Sequence, residues 1–332
     1  MYECYHKIIK RRRAISMINK TKTLPLKRVK EPFKKNFKRN YQLYILLLLP
    51  VAWLLLFKYG PMYGLLIAFK DYEISKGILG SDWVGFANFD KFFHNYMFGK
   101  VIRNTLTVSF YQLIASFPFP IILALALNST RKKKFGKTVQ TLTYMPYFIS
   151  VVVLCSIVIQ FLSPRMGIIN EMIRFFGGTP KDFMADPNMF PHIYVWSGIW
   201  QSCGWGTIVY LAALSGVDES LHEAAMIDGA TRFQRVRYID FRCILPTASI
   251  MLILNAGQIM NIGFEKAFLL QNQLNKDTSE IISTFTYNVG FATAVTDFSM
   301  ATAIGLFNSV INLILILTVN KISKKLSDTS LF

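Results

Sequence analysis

The sequence predicts an all-α integral membrane protein with six membrane-spanning helices and one polar loop that folds as a helix, a turn and a second helix. The chain of 332 residues is 52% hydrophobic but only 17% charged, which is too apolar for an ordinary water-soluble domain of this length. Six stretches lack Asp, Glu, Lys and Arg and approach the roughly 20 residues that a helix needs to cross about 30 Å of hydrocarbon. They are 41–57, 104–127, 138–163, 188–217, 243–264 and 298–320. The first is the shortest, and its helix can extend past Lys58.

The distribution of charge predicts the orientation of these spans. A net charge of +18 would suggest a nucleic-acid partner in a soluble protein, but here the basic residues lie between spans. If alternate loops share a side, one side holds 26 of the 37 basic residues and 8 of the 19 acidic residues, and the other side is neutral. Because positively charged loops stay cytoplasmic, both termini and the polar loop 218–242 are placed inside, and no nucleic acid is needed.

Three regions follow from this topology: a basic cytoplasmic arm at 1–40, a six-span domain at 41–320, and a cytoplasmic tail at 321–332. The arm either lies on anionic lipid or only sets the topology. The apolar run 281–296 could be a seventh span, but its 16 residues are few and a seventh span would move the tail outside. It is therefore predicted to be an external re-entrant or interfacial segment.

Capping patterns predict two short helices in the polar loop. Ser220 and Glu223 have the spacing of a capping box, in which each side chain pairs with a free backbone amide at a helix start. Thr231 and Gln234 repeat that spacing, and Gly229 between them tolerates the left-handed conformation that closes a helix. A connector between packed helices commonly takes about 2 to 8 residues. The loop is therefore predicted to be a docking element, with a plain spacer as the alternative.

The same loop carries a family resemblance. The loop contains the pattern Glu-Ala-Ala, three residues, Gly, nine residues, Ile. Its defined positions are Glu223, Ala224, Ala225, Gly229 and Ile239. This order resembles the signature of the inner-membrane permease subunits of binding-protein-dependent ABC importers. In that family the loop is a coupling helix that sits in a groove of the ATPase subunit. The resemblance implies the type I importer permease fold.

The residues that the resemblance assigns to ATPase coupling are Glu223, Ala224, Ala225, Asp228 and Gly229. One departure concerns the end of the loop, where Phe241 and Arg242 stand in place of the family's Leu-Pro pair. Arg242 can continue a helix that proline would restrict, so the second helix is predicted to run on towards the fifth span.

Three further stretches extend the resemblance to the carbohydrate-importing branch, and within it to permeases for oligosaccharides or polysaccharide fragments. They are LLLLPVAWLLLFKYGPMYGLLIAFKDY at 46–72, LNAGQIMNIGFEKAFLLQN at 254–272 and ATAIGLFNSVINLILI at 301–316. The resemblance thus covers nearly all of the chain beyond its basic head.

A sugar path needs amides for hydrogen bonding and aromatic rings for stacking. Asn255, Gln258 and Asn261 recur at intervals of three in the fifth predicted span and would form one polar stripe. In the fourth, Trp196 and Trp200 share a helix face, and Gln201 follows them. The resemblance also places sugar contacts in these two spans. The alternatives are that the amides join helix to helix and that the tryptophans mark the headgroup region.

The chain itself is predicted not to be an enzyme. The stretch RKKKFGKT ends like a phosphate-binding loop, but Arg131 stands where the first glycine is required and no strand precedes it. The four cysteines show no CxxC spacing and support neither a disulfide framework nor a zinc site. No cofactor is therefore expected in this chain.

The resemblance implies a set of partners in the cytoplasmic membrane. These are a second, similar permease chain, two ATPase subunits that bind ATP and Mg, an extracytoplasmic solute-binding protein, a carbohydrate and membrane lipid. Two other functions stay open from the residues alone: an ATP-independent secondary carrier or channel, and a membrane scaffold. A carrier driven by protons or sodium would favour ionisable residues within the spans, and the six predicted spans contain no Asp, Glu, Lys or Arg.

Overall fold

The structure, a computed structural model, describes residues 39–257, 259–260, 262–292 and 296–326, with only the backbone of 322–326. Nearly all of the predicted basic arm and the tail from residue 327 lie outside these residues. The chain divides into two compact units, Met1–Tyr63 and Gly64–Phe332. In the first unit, α1 (Tyr41–Leu54) continues into a π-helical turn at Leu55–Tyr59. A 3₁₀ segment, Gly60–Phe69, follows, and its residues from Gly64 onwards belong to the second unit.

The second unit is almost entirely helical. Two strands of two residues each, β1 (Lys70–Asp71) and β2 (Asp82–Trp83), pair antiparallel. The helices up to the polar loop 218–242 are α2 (Gly77–Gly80), α3 (Ala87–Phe93), α4 (Phe98–Ser116), α5 (Pro118–Asn128), α6 (Lys133–Tyr144), α7 (Val151–Phe161), α8 (Ile168–Phe175) and α9 (Met189–Leu214). Those that follow are α10 (Glu219–Ile227), α11 (Arg232–Arg235), α12 (Phe241–Ala256), α13 (Phe264–Leu270), α14 (Lys276–Ser279), α15 (Ile282–Tyr287) and α16 (Phe298–Leu326).

Within the described residues, four helices are long and apolar enough to cross a membrane. They are Tyr41–Phe69, Phe98–Asn128, Arg232–Ala256 and Phe298–Lys321. A bent pair, Lys133–Phe148 and Val151–Phe161, makes a fifth if it counts as one span. The first confirms that its helix extends past Lys58. The protein is thus a mostly helical membrane protein with four to five candidate spans.

The prediction of one continuous span at 138–163 is wrong. After α6 a 3₁₀ turn, Met145–Phe148, leads into α7, and the chain bends by 101° between the two helical pieces. Ser150 starts α7 as its N-cap, with its hydroxyl oxygen accepting a hydrogen bond from the Val153 amide. Hydropathy alone could not place this break, because Ile149 and Ser150 carry no charge.

The predicted boundaries of the fifth span, 243–264, are also wrong. The helix starts at Arg232, passes through a π-helical turn at Val236–Asp240 and ends at Ala256. The prediction that the second loop helix runs on towards this span is confirmed. Charged residues at the start of the helix hid its beginning from a search for uncharged stretches.

Helix α9 is central to the second unit. Its 26 residues are enough to span a membrane, although it is less apolar than the four helices above because it contains tryptophan, serine and glycine. It packs against α4, α5, α6 and α12. Phe190, Tyr194 and Ile199 are buried near its start, and Tyr210 and Leu214 near its end. This position places α9 at the wall of any cavity between these helices.

Buried polar side chains fix the segment between α12 and α16 onto the other helices. Asn104 of α4 donates from Nδ2 to the carbonyl oxygens of Asp277 and Glu280, at 2.8 and 3.0 Å. Lys266 of α13 donates from Nζ to the Tyr194 carbonyl oxygen at 2.6 Å. The predicted re-entrant run starts with the short helix α15, in which Ile282 and Phe285 are buried. These bonds satisfy polar groups that would otherwise be costly to bury.

Candidate functional site

The polar loop 218–242 contains two short helices and a glycine turn between them, as predicted. Helix α10 ends before Gly229, which has φ +77°, and the Ala230 amide donates to the Ala225 carbonyl oxygen at 2.8 Å. The Thr231–Gln234 capping box is confirmed: Gln234 Oε1 accepts from the Thr231 amide at 2.7 Å. The loop is thus defined by local hydrogen bonds rather than by packing against a large core.

The predicted capping box of Ser220 and Glu223 is wrong. Helix α10 starts at Glu219, and Asp218 is its N-cap, with Oδ1 accepting from the Ser220 amide at 3.0 Å. Hydrogen bonds from Ser220 lower the pKa of Asp218 below its usual value. Because the carboxylate of Asp218 caps the Ser220 amide, the helix begins two residues earlier than the serine pattern predicted.

One face of α10 is free of packing within the described chain. Glu223, Ala224, Asp228 and Gly229 are exposed, and Ala225 is half-buried. Three large apolar side chains are exposed beside them: Leu221, Met226 and Ile227, the last with 86% of its surface accessible. Exposed apolar side chains on a capped, ordered helix are typical of an interaction surface.

A pair of side chains, one buried and one half-buried, connects α10 to the start of the long helix α12. His222 Nε2 lies 3.1 Å from Asp240 Oδ1, and Asp240 is 2% exposed. The pair lies at the π-helical turn, where the loop joins the candidate span Arg232–Ala256. The pair therefore joins α10 to the candidate span by a direct side-chain contact. Sequence reasoning missed this pair because its two residues are 18 positions apart.

A cavity of about 350 Å³ lies between α4, α5, α9 and α12. Its polar lining includes three residues of α4 at helical spacing, Ser109, Gln112 and Ser116, together with Ser202 of α9 and Asn255 of α12. The aromatic side chains of Trp205 and Tyr210 also line it. Hydroxyls, amides and aromatic rings without a charged lining residue suit a ligand that offers hydroxyl groups.

Of the predicted substrate residues that the structure describes, one lines this cavity. Asn255 lines it, whereas Gln258 and Asn261 lie outside the described residues. Helix α12 ends at Ala256, directly after Asn255, so the rest of the predicted stripe lies beyond this helix and outside the described residues. The serines and glutamine of α4 were missed, although their spacing of three and four positions signals one polar helix face.

The other three predicted residues lie elsewhere on α9. Trp196 is half-exposed, donates from Nε1 to the Tyr111 hydroxyl at 2.9 Å, and has its ring edge-on to Phe119. Trp200 is half-exposed. Gln201 donates from Nε2 to the Ile149 carbonyl oxygen at 3.0 Å, which stabilises the break between α6 and α7. Trp196 is thus held in a fixed orientation with part of its ring accessible.

The chain is similar to known membrane components of transport systems. The family model described as "Binding-protein-dependent transport system inner membrane component" matches residues 116–328. Protein LplB of Bacillus subtilis (strain 168) is 42% identical over 295 residues, 89% of this chain and 92% of that protein. The polygalacturonan/rhamnogalacturonan transport system permease protein YteP of the same organism is 40% identical over 290 residues, with 87% and 90% coverage.

A solved structure shares the fold. It is a crystal structure of a bacterial alginate ABC transporter in complex with an alginate pentasaccharide-bound periplasmic protein. The matching chain is 38% identical to this one, with a TM-score of 0.82, and the match covers 91% of this chain and 100% of that chain.

Proposed function

The chain belongs to the family of inner-membrane components of binding-protein-dependent transport systems, and on that premise we propose that it moves an oligosaccharide across the cytoplasmic membrane as one of two paired permease subunits. It is a multi-pass protein of that membrane, and it is the membrane component rather than the ATPase of its system. Membership of the family favours ATP-driven import over the alternatives of an ion-driven carrier, a channel and a scaffold.

The observation that carries the proposal is the exposed face of α10 beside Gly229. A helix that presents Leu221, Met226 and Ile227 next to Ala224 suits a groove on a separate ATPase. In this proposal ATP binding closes the pair of ATPase subunits and displaces α10. The His222–Asp240 pair then transmits the displacement to α12, which lines the cavity.

The proposed topology keeps six spans, with both termini and loop 218–242 in the cytoplasm. Helix α9 is the sixth span beside the four long helices and the bent pair. The domain limits stay as proposed: arm 1–40, permease domain 41–320 and tail 321–332. A single six-span chain offers few helices to enclose a pathway, which supports pairing with a second permease.

An oligosaccharide is the proposed substrate. The hydroxyl and amide lining of the cavity, together with Trp205, fits a neutral hydrogen-bonding and stacking environment. YteP is named for polygalacturonan and rhamnogalacturonan, and the solved relative for alginate. Fragments of an acidic polysaccharide are therefore the first substrates to test, with a neutral oligosaccharide for comparison.

The test is reconstitution with the partner proteins. The chain, a second permease, the ATPase and a sugar-loaded binding protein are placed in proteoliposomes, and uptake of labelled oligosaccharide is measured. Uptake is expected to require both ATP and the binding protein. Uptake that follows an imposed ion gradient without the ATPase would contradict the proposal.

Asn255 offers a test of the cavity as the substrate site. Asn255→Leu removes an amide that can bond a sugar hydroxyl, and one lost hydrogen bond of about 1 kcal/mol corresponds to roughly a fivefold change. We expect uptake to fall about three- to tenfold, with ATP hydrolysis in the absence of sugar unchanged. Leu254→Ala, at the neighbouring position outside the cavity lining, is the matched control. Equal uptake by the two variants would place the substrate site elsewhere.

A further inference from the structure

An open groove lies where α5 ends and α11 begins. It has a volume of about 760 Å³ and lies between the last turns of α5, the start of α6 and α11. Its walls are mainly apolar, with Ile122, Leu125, Phe135, Phe233 and Val236 among the lining residues. Ile122, Phe135 and Phe233 each have more than 60% of their surface accessible. Nothing in the described part of the chain covers these side chains.

Three cations stand in the same groove: Arg131, Lys132 and Arg232. All three are exposed, and none makes an ion pair within the described residues. Arg131 and Arg232 also border a neighbouring cavity that contains Glu219 and Glu223. The groove itself contains no carboxylate among its lining residues. The lining is therefore mainly apolar and carries three positive charges that no acidic lining residue balances.

The position of the groove relates it to the membrane surface. The candidate span Phe98–Asn128 ends beside it, and the candidate span Arg232–Ala256 starts in it. Both ends lie on the side that the charge distribution places in the cytoplasm. An apolar groove at the end of two spans lies at the depth where acyl chains meet headgroups, and cations there attract anionic lipid.

We propose that this groove binds one anionic phospholipid, with an acyl chain along Ile122, Phe135 and Phe233 and the phosphate at Arg131, Lys132 and Arg232. This inference goes beyond the transport function and does not depend on which sugar is carried. The chain's own arm is unsuited as an occupant, because the 14 basic residues of 1–40 would be repelled by the three cations.

The test uses the intact transporter complex in nanodiscs of phosphatidylglycerol and phosphatidylcholine. Native mass spectrometry counts the phosphatidylglycerol molecules that stay bound after release from the nanodisc. The groove variant is Arg131→Gln/Lys132→Gln/Arg232→Gln. Its matched control, Lys133→Gln/Lys134→Gln/Lys137→Gln, removes the same charge from α6 outside the groove lining. We expect the groove variant to retain one phosphatidylglycerol fewer, with at least about a tenfold weaker affinity, and the control to match the unmodified complex.

A second variant tests the acyl chain separately from the charge. Ile122→Trp narrows the groove with a larger apolar side chain and leaves all three cations in place. The complex with this variant is therefore also expected to lose the retained lipid. A photoactivatable phosphatidylglycerol should label residues near Phe135 in the unmodified complex. Equal lipid retention by the groove variant and its control would overturn the proposal. So would a crosslink to the ATPase from a crosslinker attached to the cysteine of Phe135→Cys, because the ATPase would then cover the groove. Sugar-dependent ATP hydrolysis, measured in parallel, reports on the transport function independently.

Discussion

Replacing Gly229 by valine is expected to abolish most sugar uptake while the protein still reaches the membrane. Gly229 has φ +77°, and a β-branched residue in this left-handed region costs roughly 1–3 kcal/mol. No other atom lies within 4 Å of the position that a Cβ would take, so the cost arises from the backbone alone. The chain would relieve it by changing the turn between α10 and α11. We expect uptake to fall more than tenfold.

Gly229→Asn is the matched control for this prediction, because asparagine tolerates the left-handed region much better than valine. It is expected to retain most of the uptake. Both variants are compared for membrane level, uptake and stimulation of ATP hydrolysis by the sugar-loaded binding protein. If valine and asparagine reduce uptake equally, the backbone conformation of the turn is not what couples this loop to the ATPase.

The polar loop 218–242 could be predicted in detail because its structure depends on local chemistry. The Thr231–Gln234 capping box and the left-handed Gly229 involve residues only a few positions apart, and the structure has both. The error at the start of α10 has a local cause as well, since Asp218 accepts from the Ser220 amide and thereby makes Ser220 the second residue of the helix instead of its N-cap. Local patterns therefore predict the presence of a helix more accurately than the residue at which it begins.

The cavity could be predicted only in part, because its residues come together from four helices. Asn255 stood out as an amide in an apolar stretch, but Ser109 and Ser116 are small and common in membrane helices. The bend after α6 was also hidden, because it lies in an uncharged run. Pro146 and the capping residue Ser150 were the available signals for it.

Residues that sequence reasoning assigned to the substrate have two kinds of surroundings. Gln201 uses its amide nitrogen to bond the Ile149 carbonyl oxygen at the break, which leaves that donor engaged. Trp196 is held by Tyr111 and Phe119 with half of its surface accessible, an arrangement suited to stacking on a sugar ring. Trp196 therefore remains the stronger candidate of the two for a contact along the path.

Replacing Gly204 by alanine is expected to destabilise the whole second unit. A Cβ at Gly204 would lie 2.0 Å from the Thr143 carbonyl oxygen and 2.4 Å from the Thr143 carbonyl carbon. These are backbone atoms at the end of α6, so no side-chain rotation can relieve the overlap. Helix α9 would have to move away from α6, next to the cavity residues Trp205 and Ser202. We expect a loss of at least the roughly 1–3 kcal/mol typical of overpacking, seen as a fall on the order of 5 °C in the unfolding midpoint.

Alanine substitutions of two other glycines serve as controls. They distinguish the effect of the close contact at Gly204 from the general effect of adding a methyl group. At Gly257 the nearest atom is Cγ1 of Ile316, at 2.3 Å, and this side chain can rotate away. At Gly305 no atom beyond its chain neighbours and the backbone of its own helix lies within 4 Å of the added Cβ, and alanine favours a helix over glycine by about 1 kcal/mol. The unfolding midpoints in detergent are therefore expected to rank Gly204→Ala lowest, Gly257→Ala next, and Gly305→Ala at or above the unmodified protein. A Gly204→Ala midpoint equal to that of Gly305→Ala would show that α9 and α6 do not approach each other this closely.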